Sequence, residues 1–346
     1  GLILPIAVSV TSATMNTTTS AQESMKQALH MCLGNDTQAV IQGCTWMLDS
    51  GQDISQFSRA TAHLRRGVAH DMAKNHALAV EDYSAVLDIA PEAGRIYRYR
   101  GVAYSSMQKH TAAIRDFNKA LKLNPDDADA WFNRGFSYGR KEDYKRSISD
   151  YDQAIQLNPE FVKALNNRGH SQAMLKNCEA AVADFSAAIE LDPEHALAYA
   201  NRADCYYQLG DGKAAVADHN RSLELAPDNA DLYNASCWTK GLLGDGAAAL
   251  ADCNEALRLA PEVPQFYDSR ALAYFLLGDL ERALADENRS MSEPDWENYI
   301  LRAAIHHRLD DSKSAREDYR SARHASEDKT ELKARMDLLG ISPEDF

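Results

Sequence analysis

The sequence predicts an all-α fold in which antiparallel helix pairs stack into a solenoid. Three regularities support this prediction: a proline that recurs every 34 residues, small residues at two fixed places in each period, and an aromatic residue at a third. A constant period of this length is typical of a repeat array. Proline ends the second helix of each period because it cannot continue a helix. The prolines are Pro91, Pro125, Pro159, Pro193, Pro227 and Pro261, and Pro294 follows one residue early.

Residues 1–22 precede the repetitive part of the chain. They begin with a short apolar run to Val10, and the stretch from Thr11 to Gln22 is small and uncharged. This order is typical of the second half of a secretory signal peptide. We interpret residues 1–22 as a signal-peptide remnant or a disordered leader, and we expect them to lie outside the packed fold.

Residues 23–57 predict a helical hairpin. One amphipathic run ends at Leu33, Gly34 and Asn35 supply a turn, and a second run follows to Leu48. Gly51 is a suitable stop for the second helix. We interpret the hairpin as a degenerate copy of the unit that follows it.

Eight repeats are expected over residues 58–327, numbered here from position 1, which is Ala60 in the first repeat. Position 8 is small in every repeat and position 20 is alanine or serine, so two helices can cross closely there. Position 4 is often aromatic. Position 24, which faces these small residues, holds the aromatic residues Tyr83, Phe117, Tyr151, Phe185 and Tyr319.

Small residues at positions 8 and 20, aromatic residues at positions 4, 11 and 24, and proline at position 32 resemble the tetratricopeptide repeat (TPR). The resemblance covers about residues 60–327 and implies a right-handed superhelix whose groove is lined by the first helix of each pair. Repeat eight departs from the pattern, because Glu327 replaces the proline. Residues 328–346 then predict a C-terminal capping helix and tail, which would cover the apolar face of the last repeat.

Two charged positions recur in the same register. Position 7 is arginine in seven repeats, and position 23 is aspartate in all eight. Because position 7 flanks the packed small residue, a cation there needs a carboxylate partner with good hydrogen bonds. We predict that these arginines pair with aspartates of the same or the preceding repeat, as scaffolding. Repeat six breaks the rule with Ser236.

Six cysteines allow 15 pairings from the sequence alone. The repeat register narrows them, since Cys237 and Cys253 face each other across one hairpin, and the helix ends that carry Cys178 and Cys205 meet. Cys32 and Cys44 lie on the two helices of the first hairpin. We expect the bridges 32–44, 178–205 and 237–253; the alternative is that the cysteines other than Cys32 and Cys44 are free thiols that fill small core positions.

Several classes of function have no support in the sequence. The net charge of −14 and the pI of about 5.2 disfavour a nucleic-acid binder, which needs a basic face. No apolar stretch is long enough for a transmembrane helix. Catalytic motifs, nucleotide-binding glycine patterns and CxxC pairs are missing, so no enzyme activity, metal or cofactor is expected.

The expected groove faces positions 2, 5, 9, 12 and 13 of each first helix, as the family resemblance implies. It divides into two strips of different character. The strip of repeats two to four is basic and aromatic: Arg95, Arg98, Phe132, Phe136, Arg140, Lys163, Asn166 and His170. The strip of repeats five to eight is apolar: Tyr207, Trp238, Leu242, Leu272, Phe275, Leu276 and Ile300. Such a strip suits an extended segment or an amphipathic helix, unless a superhelical turn or the terminal helix covers it.

A carboxylate clamp for a chaperone tail, known in some members of the family, fits poorly. The matching positions hold Arg98, Val102, Asn133, Lys163 and Asn167, and two of the five are of the wrong type. We therefore expect a non-catalytic scaffold that binds a peptide or protein segment in its groove. The alternative is an envelope or secretion-machinery subunit that handles a lipoprotein, a glycan or a secreted chain. The leader and the even cysteine count favour export to a bacterial periplasm or the medium, with the cytoplasm as the alternative.

Overall fold

The computed structural model describes residues 18–292 and 294–346, and within them it is all-α. Neighbouring helices form the expected antiparallel pairs, which confirms the predicted fold class. The helices are α1 Thr18–Cys32, α2 Thr37–Asp49, α3 Gln56–Met72, α4 His76–Ile89, α5 Gly94–Ser106, α6 His110–Leu123, α7 Ala128–Gly139, α8 Tyr144–Leu157, α9 Val162–Met174, α10 Cys178–Leu191, α11 Ala196–Gln208, α12 Gly212–Leu225, α13 Ala230–Leu242, α14 Gly246–Leu259, α15 Pro264–Leu276, α16 Leu280–Ser290, α17 Trp296–Arg308, α18 Ser312–Ala325 and α19 Lys329–Leu339.

The chain divides into two compact units, an N-terminal unit up to Ser171 and a C-terminal unit from Gln172. Helix α1 begins at Thr18, within the segment that was expected to lie outside the fold. The helix thus starts before the predicted hairpin boundary at residue 23, since no glycine or proline interrupts the chain from Thr18 to Cys32. That residues 18–22 lie outside the packed fold stays a prediction. The part of the leader prediction that concerns residues 1–17 lies outside the described residues.

In repeats one to three, the glycine at position 8 meets the aromatic ring at position 24 of the same repeat. A methyl group added to Gly101 would lie 2.7 Å from the ring of Phe117, and one added to Gly135 would lie 3.0 Å from the ring of Tyr151. Both rings are buried. The two helices of each pair therefore cross at a distance that a larger side chain at position 8 would not allow.

The arginine and aspartate positions are paired, as predicted. In six repeats the guanidinium at position 7 donates two hydrogen bonds to the aspartate sixteen residues later, as Arg100 does to Asp116 at 2.7 and 2.9 Å. Its remaining nitrogen reaches the second helix of the preceding repeat, where Nη1 of Arg100 donates to Ser84 at 2.9 Å. Arg168 pairs with Asp152 of the preceding repeat. The other pairs are Arg66–Asp82, Arg134–Asp150, Arg202–Asp218, Arg270–Asp286 and Arg302–Asp318.

Repeat six keeps this connection by other means. Ser236 donates to Asp252 at 2.6 Å, and Nζ of Lys240 lies 2.6 Å from the same carboxylate. The ammonium also donates to Asn220 of repeat five at 3.1 Å. Lys240, one helical turn beyond the usual arginine position, thus supplies the missing cation and the link to the preceding repeat.

The turn between the two helices of each repeat holds one residue in the left-handed region. Glu142 occupies it in repeat three with φ 61°, whereas Gly244 occupies it in repeat six with φ 82°. A residue with a side chain is strained there and glycine is not. We expect Glu142→Gly to raise the free energy of unfolding by about 1 kcal/mol and Gly244→Ala to lower it by about as much. Urea denaturation of both variants tests this, and shifts of the same sign would contradict it.

Two of the three expected cysteine pairs are bonded. Cys32 and Cys44 join α1 to α2, and Cys237 and Cys253 join α13 to α14. The expected Cys178–Cys205 bridge was wrong, because both are free and buried. Sγ of Cys178 instead donates to Oε1 of Gln208 at 3.1 Å, and the two thiols fill a small core cluster around Phe185.

The Cys32–Cys44 bridge stabilises the hairpin of α1 and α2, which packs against α3. Its cysteines are 12 residues apart, and a closed loop of about this size contributes about 3 kcal/mol in the chain-entropy model. We expect Cys32→Ala/Cys44→Ala to lower the free energy of unfolding of α1 and α2 by about that amount, as measured by amide exchange. Cys178→Ala is the matched control and should leave these amides unchanged. Equal exchange in both variants would contradict the prediction.

Candidate functional site

The basic strip of the N-terminal unit is partly neutralised and partly buried. Arg98 pairs with Asp127 at 2.9 Å and with Asp129 at 3.2 Å, so its charge is balanced within the unit. Of the residues expected in the groove, Phe132 is half-buried and Asn166 is buried. The ring centres of Phe132 and Phe161 are 4.8 Å apart, and Phe132 packs against the core cluster that contains Tyr151.

The remaining members of this strip are exposed: Arg95, Phe136, Arg140, Lys163 and His170. A shallow cavity of about 380 Å³ lies beside Arg95 and Arg98, and it is lined mainly by aspartates and Asn124. Mixed charge and an open shape give this surface little selectivity for a ligand of one sign.

The C-terminal unit contains a cavity of about 450 Å³ that is built from four successive first helices. Helices α11, α13, α15 and α17 each contribute side chains from groove positions, so the cavity lies in the groove that the repeat register predicts. Its lining residues are Asp204, Tyr207, Gln208, Asn234, Ala235, Trp238, Thr239, Leu242, Gln265, Asp268, Ser269 and Glu297.

Only part of the expected apolar strip lines this cavity. Tyr207, Trp238 and Leu242 do, but Leu272 and Phe275 are 1% and 0% exposed. The expectation that Leu272 and Phe275 form an open surface was wrong. The alternative, in which the terminal helix covers part of the strip, is the one observed. They are buried, together with Ile300, in a core that includes side chains of α19, and Leu276 packs against the same core. The contributions of the last segment are Leu332, Met336, Leu339 and Ile341.

Helix α19 is held across the first helices by polar contacts as well. Arg308 donates to the carbonyl oxygen of Leu339 at 3.3 Å, and its guanidinium lies 3.9 Å from the centre of the Phe275 ring. At the other end of α19, Glu331 accepts from Lys176 at 2.9 Å. The helix therefore caps the last repeat and also forms one side of the groove in the C-terminal unit.

Arg335 of α19 reaches the wall of the cavity. Its guanidinium lies 4.6 Å from the centre of the Trp238 ring and pairs with Glu297. The Arg335 side chain is only 10% exposed. Burial raises the pKa of Glu297, and the positive charge of Arg335 opposes that shift.

Two carboxyl groups meet at the base of the cavity. Asp268 lines it and hydrogen-bonds Glu287 of α16, which is fully buried and also accepts from Asn298 and Ser290, each at 3.1 Å. Burial raises the pKa of Asp268 to about 7, and the charges of Glu297 and Asp295 add to this shift while Glu287 and Arg335 oppose it. Burial and the neighbouring Asp268 also raise the pKa of Glu287 well above its usual value.

This pair makes the stability of the C-terminal unit depend on pH. A carboxyl group whose pKa is higher in the folded state stabilises the fold below about pH 4, and this contribution is lost as the pH rises to about 7. We expect the free energy of unfolding to fall by on the order of 2 kcal/mol over this range and Asp268→Asn to remove most of that fall. Urea denaturation at several pH values tests this. The exposed Asp231→Asn is the control, and parallel pH curves for the two variants would contradict the prediction.

The sequence did not single out the polar residues that line the cavity, although their positions in the repeat are groove positions. Asn234, Gln265, Asp268 and Glu297 stand at positions 2 and 5, and Asp204 at position 9, all among those assigned to the groove. Only the apolar members were singled out in these repeats. Asp268 and Glu287 show no pattern in the sequence that marks them as a pair.

Among residues 18–292 and 294–346, no three histidine, cysteine or acidic side chains are arranged to hold a metal ion. Within the same residues, every helix is too short or too polar to cross a bilayer. The arrangement in the cavity can thus bind a ligand through an aromatic wall, amide groups and carboxylates.

Comparison with known families identifies the repeats. Residues 103–142 match a family model described as TPR repeat, and residues 128–161 and 170–230 match models described as tetratricopeptide repeat. A search of curated proteins found no match.

Solved structures of the same fold are similar to the chain at low sequence identity. A tetratricopeptide repeat protein from Parabacteroides merdae has a TM-score of 0.58 at 21% identity, over 71% of this chain and 98% of that one. PilF of Pseudomonas aeruginosa has a TM-score of 0.54 at 18% sequence identity, over 62% of this chain and 98% of that one. A chain of the APC/C hetero-tetramer Cut9–Hcn1 has a TM-score of 0.60 at 16% sequence identity, over 94% of this chain and 63% of that one. At these identities the likeness establishes the fold.

Proposed function

Because this chain is a tetratricopeptide-repeat protein, we propose that it is a non-catalytic scaffold that binds a segment of a partner protein in the groove of its C-terminal unit. The observation that carries the proposal is the cavity of about 450 Å³ formed by α11, α13, α15 and α17. It combines an aromatic wall, Trp238 and Tyr207, with backbone-like amide groups from Asn234 and Gln265. Large aromatic anchors beside polar groups are typical of surfaces that bind protein segments.

The proposed binding mode is a short segment that places one side chain in the cavity and runs along the first helices on either side. Helix α19 bounds the groove on one side, so the segment would lie beside α19 and not over Phe275. The two bonded cysteine pairs favour an oxidising compartment, and we extend the proposal to an exported protein.

Selection of 12-residue peptides from a displayed random library against the full chain tests the groove. Selected peptides should cross-link to a photoreactive residue placed at Ala235, which lines the cavity, and should lose binding to Trp238→Ala. Trp131→Ala is the matched control, since it removes an indole outside the cavity. Peptides that bind both variants equally would show that the groove is assigned wrongly.

A further inference from the structure

The charge of the chain is divided unequally between its two units. Residues 1–171 carry 19 lysines and arginines against 18 aspartates and glutamates, whereas residues 172–346 carry 18 against 33. The N-terminal unit is thus close to neutral, and the negative charge of the chain belongs to the C-terminal unit. A cationic surface on the first unit would therefore find its complement on the second unit of another copy.

The outer face of α6 is such a cationic surface. Arg115, Lys119 and Lys122 stand four and three residues apart, so they lie along one face of the helix, and all three are exposed. Lys141 extends this face, because its Nζ donates to the hydroxyl group of Thr111 at 3.2 Å. Thr111 lies one helical turn before the first of these cations. We call these four cations the α6 face.

The α6 face is not neutralised by the protein itself. None of its four cations forms an ion pair with a carboxylate of residues 18–292 or 294–346. The one carboxylate of α6, Asp116, is buried and accepts from Arg100. By contrast, Arg146 of α8 pairs with Asp143. Unpaired cations on one face of an acidic protein are suited to an anionic partner surface.

The outer face of α10 has the opposite character. This helix contains no lysine or arginine. Glu179 and Glu190 are exposed near its two ends, and the exposed Ala183 and the half-buried Ala187 lie between them on the same side. The small alanines leave room for long side chains of another helix, whose methylene chains can cover them while their charged ends reach the glutamates.

The two faces also match in spacing. Lys122 is eleven residues from Thr111, beside which Lys141 lies. Glu179 and Glu190 are eleven residues apart as well, which corresponds to about 16 Å along a helix. When the two helices lie side by side, the outer cations therefore meet the two glutamates, and the inner cations lie over the alanines.

We propose that the α6 face binds the outer face of α10 in a second copy of this chain, so that the protein self-associates through second helices of its repeats. The groove is built from first helices, so it stays free for a partner segment, and the inference does not depend on the proposed function. Two such contacts close a dimer if each copy offers both faces to the same neighbour, and otherwise build longer chains.

Sedimentation velocity of the full chain over a range of protein concentrations tests the proposal. We expect the sedimentation coefficient to rise with concentration in low salt. The dissociation constant should increase about tenfold or more between about 0.01 M and about 0.15 M salt, because the screening length falls from about 30 Å to about 8 Å.

Charge reversal locates the contact. Arg115→Glu/Lys119→Glu/Lys122→Glu and Glu179→Lys/Glu190→Lys should each weaken self-association by about tenfold or more, since each gives the two faces the same sign of charge. An equal mixture of the two variants should restore association, because the faces of one variant are then complementary to those of the other. All of these side chains are exposed, and circular dichroism checks that both variants fold.

Lys26→Glu/Lys74→Glu/Lys163→Glu is the matched control for the first variant. It makes the same change in net charge at exposed positions outside both faces and should associate as the wild type does. A wild-type chain that stays monomeric at every concentration in low salt would overturn the proposal, and binding of anionic phospholipid vesicles through Lys119 would then assign the α6 face to a membrane surface. Association that survives either charge reversal, or that the mixture fails to restore, would show that the contact lies elsewhere.

Discussion

Asp116→Ala is expected to lower the free energy of unfolding of the N-terminal unit by about 3–5 kcal/mol, because it leaves Arg100 without its carboxylate. The side chains of Arg100 and Asp116 are 19% and 9% exposed. The guanidinium gives two hydrogen bonds to Asp116 and one to Ser84, so in the variant it loses its two bonds to the carboxylate and keeps only the one to Ser84. Chemical denaturation with matched circular dichroism spectra measures the loss.

Two further variants show what the pair contributes. Arg100→Met/Asp116→Leu removes both charges and is expected to recover most of the loss, since apolar side chains of similar volume replace a buried ion pair at little cost. Glu255→Ala breaks an exposed pair with Arg258 and should leave stability unchanged. A full-size loss in the double variant would mean that the ladder stabilises the fold by its charges and not only by avoiding an unpaired one.

Leu339→Ala is expected to lower the free energy of unfolding of the C-terminal unit by about 3 kcal/mol. Leu339 is fully buried in the core that α19 forms with Phe275 and Ile300. Truncation leaves a cavity between α19 and the first helices of repeats seven and eight, where the surrounding helices cannot close it without moving the Arg308 contact.

Leu338→Ala is the matched control, because it changes the same residue type one position earlier, where the side chain is half-buried. We expect it to cost less than about 1 kcal/mol. Increased binding of a fluorescent apolar probe such as ANS should accompany Leu339→Ala alone, as α19 loosens and exposes the apolar surface beneath it. Equal costs in the two variants would contradict the packing of α19 described above.

Most of the fold could be predicted because it is repetitive. The 34-residue spacing and the small residues at positions 8 and 20 each appear many times, so a local exception such as Cys237 does not obscure the pattern. The arginine–aspartate pairs followed from the same register. The start of α1 at Thr18 could not be predicted from this register, because it lies before the repeats begin. Only helix propensity decides the boundary there.

The candidate site was predicted less completely, for a physical reason. Positions 2, 5, 9, 12 and 13 identify the groove, but whether it is open at Leu272 and Phe275 depends on α19, which begins more than fifty residues further along the chain. Leu332 and Met336 join the core that contains Phe275 through tertiary packing, which has no periodic signal in the sequence. The same is true of Asp268 and Glu287, which belong to different helices and meet only because α15 and α16 pack together.

In six repeats, the hydrogen bond from Nη1 of the position-7 arginine to the preceding helix pair connects the formation of one repeat to that of the pair before it. In a linear array, such coupling between neighbours makes several repeats open together, as one block. Repeat six makes this connection through Lys240, a single ammonium in place of a forked guanidinium. The weakest joint of the C-terminal unit is therefore expected between repeats five and six, between α11 and α13, two walls of the cavity. A segment bound there would contact both groups of repeats, which otherwise open separately. Binding of the partner would therefore make the two groups unfold together.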